Sequence, residues 1–544
     1  MRRTAAAAAA ACAAVATIAA STTGLAPAVA APARTQAATI HWGACKDKPL
    51  KDAKAQCGML RVPLDHAHPD GRHIAIAVSR VRATAPKAQR QGPLLVNPGG
   101  PGPGLTFAAY FPAVLPHKLA AQFDIVSFDP RGTGESAPLD CGYDMWAFPQ
   151  PAYRPVTGPY EDPGPNEQEW LRRGTRMADA CGAKYGKDLG FFGTADIVAD
   201  MESIRAALGT PKINYYGYSY GTELGQIYAT RYPDRVRRMV LDSNVKPEED
   251  KYAGQAESAE LIDAVMGKFF AWTARHDGVY HLGTTAAKVE DRYYDDEADL
   301  RRHGLPGFGP SEWNDTFTFT AGYDQWLWPL LASVWGKWRL GETKPMREFA
   351  DDGSTPAERR NSTASFLAIT CRDSPWPADY ATWRRDAFAS AEAAPFRTWS
   401  EVESGLACRT WPVPGREPAD IGAAGVRALV LDETDEGITP YTGSLAVRRL
   451  FPDSVLVATV GGTGHATSLG GNGCVDRKVL RYLRDGTLPD RRPGAGADAT
   501  CKPGKAPKPS TEDVKAARST RFAVGGDGGD GGPGADGGAG GNAN

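Results

Sequence analysis

Residues 213 to 233 restrict the fold more tightly than any other stretch of this chain. An apolar, β-like run from Ile213 to Tyr216 leads into Gly217-Tyr218-Ser219-Tyr220-Gly221. Leu224, Ile227 and Tyr228 then follow at helical spacings, and Tyr232-Pro233 closes the pattern. A G-x-S-x-G motif between a strand and a helix is a nucleophile elbow. The serine of such an elbow sits in a strained turn, and side chains at 217 and 221 would clash with the neighbouring strand and helix. Ser219 is therefore the candidate nucleophile, and the competing reading is a plain glycine turn.

The chain has 544 residues, enough for one large domain with insertions. Its formal net charge of −2 gives no electrostatic reason to expect nucleic acid or an anionic membrane as partner. Residues 1–30 read as a signal peptide. Arg2-Arg3 precede an uncharged, alanine-rich run, and Ala28-Val29-Ala30 offers an A-x-A cleavage site. No later run approaches the roughly 18 apolar residues of a membrane span. An exported, soluble mature protein is expected. Cys12 would leave with the peptide, and eight cysteines remain: Cys45, Cys57, Cys141, Cys181, Cys371, Cys408, Cys474 and Cys501. An even number in an exported chain points to disulfides, most simply between sequence neighbours: 45–57, 141–181, 371–408 and 474–501. No spacing suggests a zinc site, and His66-Ala67-His68 reads as a surface loop rather than a metal site. Neither a metal nor a cofactor is expected.

Short apolar strands alternate with helical patterns over residues 39–247, which indicates a mostly parallel α/β sheet. Strands are expected at His73 to Arg82, Leu94 to Val96, Asp124 to Asp129 and Met239 to Asp242, with a helix from Asp196 to Leu208. Between 248 and 420 the rhythm breaks into a long, tryptophan-rich, helical stretch that reads as an inserted cap. Its tryptophans at 313, 326, 328, 335 and 338 read chiefly as core. Strand-like Val426 to Leu431 and Ser454 to Val460, and a helix at Lys478 to Arg484, form the second part of the core, 421–490. Residues 503–544 are rich in Gly, Pro and Asp and read as a disordered tail.

A serine hydroxyl needs a neighbouring base. In an α/β-hydrolase the acid and the histidine follow the serine in that order. His276, His281 and His303 lie among charges in the cap. His465, in Val460-Gly461-Gly462-Thr463-Gly464-His465, follows a strand directly and is the candidate base. Its acid should come from Leu431-Asp432-Glu433-Thr434-Asp435-Glu436-Gly437. Asp432 and Glu433 come at once after the strand and are read as pointing away or capping a turn. Asp435 and Glu436 both remain contenders. Oxyanion donors are expected at Tyr220 N–H and Gly100 N–H, the latter in the loop Asn97-Pro98-Gly99-Gly100-Pro101-Gly102. Arg131, in Asp129-Pro130-Arg131-Gly132-Thr133-Gly134, is expected to be paired structurally.

In order along the chain, N-P-G-G-P-G (97–102), D-P-R-G-T-G-x-S (129–136), G-Y-S-Y-G-T (217–222), a strand with a T-P loop (431–440) and G-G-T-x-H (461–465) resemble the secreted tripeptidyl aminopeptidase family of actinobacteria. That family is related to prolyl aminopeptidases within the α/β-hydrolases, and the resemblance spans about 40 to 490. It implies an α/β-hydrolase fold with a large helical cap. It also implies a secreted, extracellular serine exopeptidase that releases short peptides from free N-termini through an acyl-enzyme. Carried over, Ser219 is the nucleophile and His465 the base. The family's acid is the Asp of D-x-x-T-P. Four residues before Pro440 this chain has Glu436, and Asp435 lies one residue early, so the spacing favours Glu436. Peptide N-termini are the expected substrates and a monomer the expected state. A prolyl aminopeptidase-like enzyme, a secreted esterase or lipase with the same triad, and an inactive binding protein are the alternatives.

Overall fold

The apolar runs of the sequence pair side by side as a single sheet. A computed structural model describes residues 39–153, 164–247, 250–351 and 353–515. The expected signal peptide, 1–30, and the tail beyond 515 lie outside the described residues. The ten strands are β1 (Gly43–Ala44), β2 (Gln56–Pro63), β3 (His73–Val81), β4 (Gly92–Asn97), β5 (Phe123–Phe128), β6 (Ile213–Tyr218), β7 (Val236–Asp242), β8 (Ala428–Glu433), β9 (Val455–Thr459) and β10 (Ala499–Cys501). Their order is β1-β2-β3-β5-β4-β6-β7-β8-β9-β10. β1, β2, β3 and β5 pair antiparallel, and every pair from β5/β4 to β9/β10 is parallel.

Every residue of β6 and β8 is buried, as in a parallel sheet covered by helices on both faces. One apolar layer packs Tyr215, Leu224, Tyr228 and Leu241 against the helix Thr194–Ala207. The opposite layer joins Tyr216, Val240, Leu431 and Val457 to Phe111 and Tyr482. The registers Asn97↔Gly217, Tyr218↔Asp242 and Asp242↔Leu431 bring the carboxyl ends of β4, β6, β7 and β8 to one edge. Ligands of open α/β sheets bind along such an edge.

Between β7 and β8 all the described helices and turns, from Lys251 to Thr410, lie outside the sheet. They have a core of their own, in which Trp272, Trp313, Trp335, Phe269 and Phe317 are fully buried. Burying each such side chain contributes roughly 2–3 kcal/mol relative to exposing it. Trp328 is also buried, Trp338 is partly so, and Trp326 is 54% exposed. The cap tryptophans are thus mainly core, as their spacing suggests.

Two features go beyond the sequence pattern. Helix Pro165–Tyr185, between β5 and β6, packs Met177, Ala178 and Cys181 with Leu367, Cys371 and Cys408 of the cap. Residues 503–515, expected to be disordered, are held over the cap instead. Trp272 Nε1 donates to Pro507 O at 2.9 Å and Ser333 Oγ to Asp513 Oδ1 at 2.7 Å. All four expected disulfides are present: Cys45–Cys57, Cys141–Cys181, Cys371–Cys408 and Cys474–Cys501. Among the described residues no helix is long and apolar enough to cross a membrane.

Candidate active site

β6 ends at Tyr218, and the chain turns at Ser219 with φ 54° and ψ −128° before the helix Tyr220–Arg231 begins. A non-glycine residue there costs on the order of 1–3 kcal/mol and persists only where its surroundings hold it. Ser219 N–H donates to Asp242 O at 3.0 Å, and Ser219 O accepts from Thr222 N–H at 2.7 Å. Close approach explains both glycines of the motif. A Cβ at 217 would stand 2.4 Å from Gly221 O, and one at 221 would stand 2.8 Å from Asn97 Oδ1.

His465 lies in the loop after β9. Its backbone N–H donates to Tyr323 O of the cap at 2.8 Å, and its ring meets the Tyr323 ring edge-on at 5.4 Å. Its Nδ1 is 3.0 Å from Glu436 Oε1. An ionised carboxylate only accepts, so Nδ1 carries the proton and Nε2 is left with its lone pair. That Nε2 is buried and has no partner among the described residues.

The two candidate acids part company here. Glu436 is buried, and Ser243 Oγ donates to its Oε2 at 2.6 Å. Thr439 N–H donates to Oε1 at 2.7 Å, and Thr439 Oγ1 donates to it as well. Burial pushes this carboxyl up. The His465 charge and the hydrogen bonds from His465, Ser243 and Thr439 outweigh burial and hold it below the usual glutamate value. Asp435 does not meet the histidine. It pairs with Lys268 Nζ at 2.7 Å and accepts from Thr434 Oγ1 at 2.8 Å, with its side chain 43% exposed. β8 ends at Glu433, and the turn at Thr434 and Asp435 that follows sends Asp435 and Glu436 to different partners. A two-residue choice that sequence leaves open is thereby a matter of which side faces the histidine loop.

Gly100 and Tyr220 line one cavity with Ser219. Tyr220 is the first residue of its helix, so its N–H has no intrahelical acceptor. Gly99 N–H donates to Asn97 Oδ1 at 2.9 Å, whereas Gly100 N–H has no acceptor among the described residues. Asp129 supports this loop by accepting from Gly104 N–H and Leu105 N–H, both at 2.8 Å. Arg131 is scaffold, as expected, in a buried pair with Asp200 at 2.6 Å. His66 is not a free surface residue: its Nε2 stands 2.8 Å from Asp200 Oδ1 in the same cluster.

The cavity at Ser219 has a volume of about 230 Å³ and reaches Ile438 and Thr439, beside Glu436. A larger cavity of about 630 Å³ shares the walls Phe366, Leu367, Glu401, Ser404 and Ile438 with it. Carboxylates face both: Glu223, Asp373 and Glu401 in the first, Asp315 and Glu401 in the second. Burial pushes Asp373 and Asp315 each up to about 7. Sequence reasoning missed Ser243, Thr439 and Tyr323. Thr439 stands visibly in the T-P loop, but Tyr323 is brought to His465 only by the folding of the cap.

Comparison with known proteins agrees with this geometry. Residues 92–290 match a family model described as the alpha/beta hydrolase fold, and 395–501 match one described as TAP-like protein. A tripeptidyl aminopeptidase of Streptomyces lividans is 34% identical over 502 residues, covering 89% of this chain and 90% of the relative. The chain belongs to the tripeptidyl aminopeptidase family. Serine protease Hip1 of Mycobacterium tuberculosis is 30% identical, covering 83% of this chain and 89% of Hip1. Carboxylesterase B of the same organism is 32% identical, covering 82% and 88% respectively. Within the tripeptidyl aminopeptidase family framework, this chain is a serine α/β-hydrolase of the peptidase type. The family motifs quoted from its sequence all gather at one sheet edge beneath the cap, with a glutamate at the position of the D-x-x-T-P aspartate.

Proposed function

We propose that this protein is a secreted serine exopeptidase that releases short peptides, tripeptides foremost, from free N-termini. The observation that carries the reading is the pairing of His465 Nδ1 with Glu436, with Nε2 left unpartnered, at the edge where the Ser219 elbow opens. In the proposed cycle Ser219 Oγ attacks the scissile carbonyl while His465 Nε2 takes its proton. Glu436 keeps the imidazole in the competent tautomer and stabilises its cation. The N–H groups of Tyr220 and Gly100 receive the developing oxyanion. His465 then protonates the leaving amine, and water, activated by the same nitrogen, resolves the acyl-enzyme.

An exopeptidase must also hold the substrate α-ammonium, and the carboxylates facing the two cavities supply that chemistry. Asp373, at the end of the cap helix Pro356–Asp373, lines the Ser219 cavity, whereas Asp250, at the start of the cap, caps the helix Lys251–Arg275 through Tyr252 N–H. Glu248 and Glu249 lie outside the described residues. The N-terminal leader pattern and four disulfides support export.

Digestion of one peptide with a free N-terminus and the same peptide N-acetylated, read by mass spectrometry, tests this reading. Tripeptides are expected from the free form alone. Release of single residues would move the assignment to a prolyl aminopeptidase-like enzyme. The relative named carboxylesterase B motivates a second reading, an esterase, which preferential cleavage of p-nitrophenyl esters over peptide anilides would establish.

A further inference from the structure

The loop that carries His465 is strained and hangs from acids. Ala466 has φ 57° and Leu469 φ 65°, conformations that non-glycine residues hold only when neighbouring groups impose them. Four anchors do so. Gly464 N–H donates to Glu433 Oε2 at 2.7 Å, and Ala466 N–H donates to Ser243 Oγ at 2.8 Å. Thr467 Oγ1 donates to Glu433 Oε1 at 2.9 Å, and Ser468 N–H to Asp242 Oδ2 at 2.9 Å. Glu433 thus grips the loop on both sides of the histidine, one oxygen to each.

The sequence is built around this carboxylate. A Cβ at Gly462 would stand 2.3 Å from Glu433 Oε2, so this glycine leaves room for the carboxylate, while one at Gly464 would stand 2.5 Å from Thr467 Cγ2, the residue whose hydroxyl Glu433 holds. Glu433 is 7% exposed and, among the described residues, pairs with no lysine or arginine. It lines neither of the two cavities at the site. A buried, uncompensated acid is expensive for a structural clamp that an amide could provide equally well. The charge itself points to a role beside a base that becomes cationic.

Resting on the reading of His465 as the general base, we propose that Glu433 is a positioning residue for that base: it clamps the histidine loop, and its ionisation contributes to the acid limb of the reaction. The groups facing Glu433 are Gly464 and Thr467, which flank His465 in the loop after β9, with Asp242 at the end of β7, Glu436 after β8 and Asp432 adjacent on its own strand. Burial, helped by Asp242 and Glu436 and opposed by the Gly464 and Thr467 hydrogen bonds, pushes Glu433 up to about 7. Above that pH the anion favours the imidazolium that forms on His465 in the transition state. Below it the proton sits on the oxygen facing Thr467. The clamp survives, but the charge is gone.

The test is the rate of Ser219 modification by a fluorophosphonate from about pH 5 to about pH 9, a range that brackets histidine titration. Peptide hydrolysis is followed in parallel on wild type, Glu433→Ala and Glu433→Gln. The alanine variant should lose about 10- to 100-fold in both rates, with KM changed by less than about twofold, because the base is misplaced and the cavity untouched. Glutamine, which can accept from Gly464 and donate to Thr467, should restore most of the loss. Its acid-limb midpoint should lie at least about half a pH unit below wild type, because His465 has lost a neighbouring anion. An alanine variant at the wild-type rate, or a glutamine variant with the wild-type midpoint, overturns the proposal. If the alanine variant fails to fold, the glutamine midpoint decides alone. Wild-type protein that takes up the phosphonate but leaves peptides whole sinks the peptidase reading and leaves the Glu433 test intact.

Discussion

Glu436 Oε1 stands 3.0 Å from His465 Nδ1, while the carboxylate one residue earlier faces Lys268. Glu436 is also held by Ser243 and Thr439, so its longer side chain reaches the imidazole without being loose. This relationship assigns the two acids different fates under mutation.

Glu436→Gln should lower kcat by about a thousandfold or more, because an amide no longer fixes the reactive tautomer or balances the imidazolium. Asp435→Asn should stay within about threefold of wild type, since a half-exposed pair with Lys268 is worth only about 0–1 kcal/mol. Steady-state kinetics on a tripeptidyl anilide distinguishes them. Equal, small losses in both would sink the assignment.

Arg131 supports the fold rather than the chemistry. Its guanidinium meets Asp200 and donates to Leu64 O at 2.8 Å and Phe191 O at 2.7 Å, fully buried. Arg131→Met strands the Asp200 charge, a loss of about 3–5 kcal/mol. Urea denaturation should show the shift, and an unchanged midpoint would refute the structural role.

Stability should depend on pH through the acids under the histidine loop. Burial pushes Asp242 up to about 6 and Glu433 up to about 7. Both folded values exceed the unfolded ones, so the folded state binds these protons more tightly. The stability they lend is present below about pH 4 and is lost as pH rises through the folded values. Glu433→Gln should therefore match wild type near pH 4.5 and exceed it by about 1–3 kcal/mol near pH 8. Guanidinium unfolding at the two pH values reads this out. A glutamine variant less stable than wild type at the higher pH contradicts it.

The strap of residues 503–515 should steady the cap. A chain truncated after Lys502 loses the Trp272–Pro507 and Ser333–Asp513 hydrogen bonds and uncovers the indole of Trp272. A loss of about 1–3 kcal/mol and a red-shifted tryptophan emission are expected. Truncation after Lys515 serves as the control and should change neither.

Much of the site was legible because its constraints are local. Gly217 answers to Gly221 O four positions on and Thr439 of the T-P loop to Glu436 three positions back, and such contacts leave a pattern in sequence. The strands of the parallel part were legible for a similar reason: burial on both faces makes each a continuous apolar run. The strap was misread because a Pro- and Lys-rich segment has little apolar surface of its own, yet the cap offers it an indole N–H and a serine hydroxyl. His66 was read as surface because its partner Asp200 lies 134 positions away.

By itself the sequence determined the strand–turn–helix at Ser219, the histidine that could serve it and the alternation that makes an α/β sheet, and for the cysteines it offered neighbour pairing only as the simplest of many connectivities. Only the tertiary structure set Glu436 rather than Asp435 beside His465, put Tyr323 against His465, and revealed Glu433 beneath the histidine loop. Neighbouring carboxylates look alike to any local rule. What separates them is which side of the chain faces the loop after β9, and that is set by sheet register and by donors more than a hundred residues away, such as Ser243.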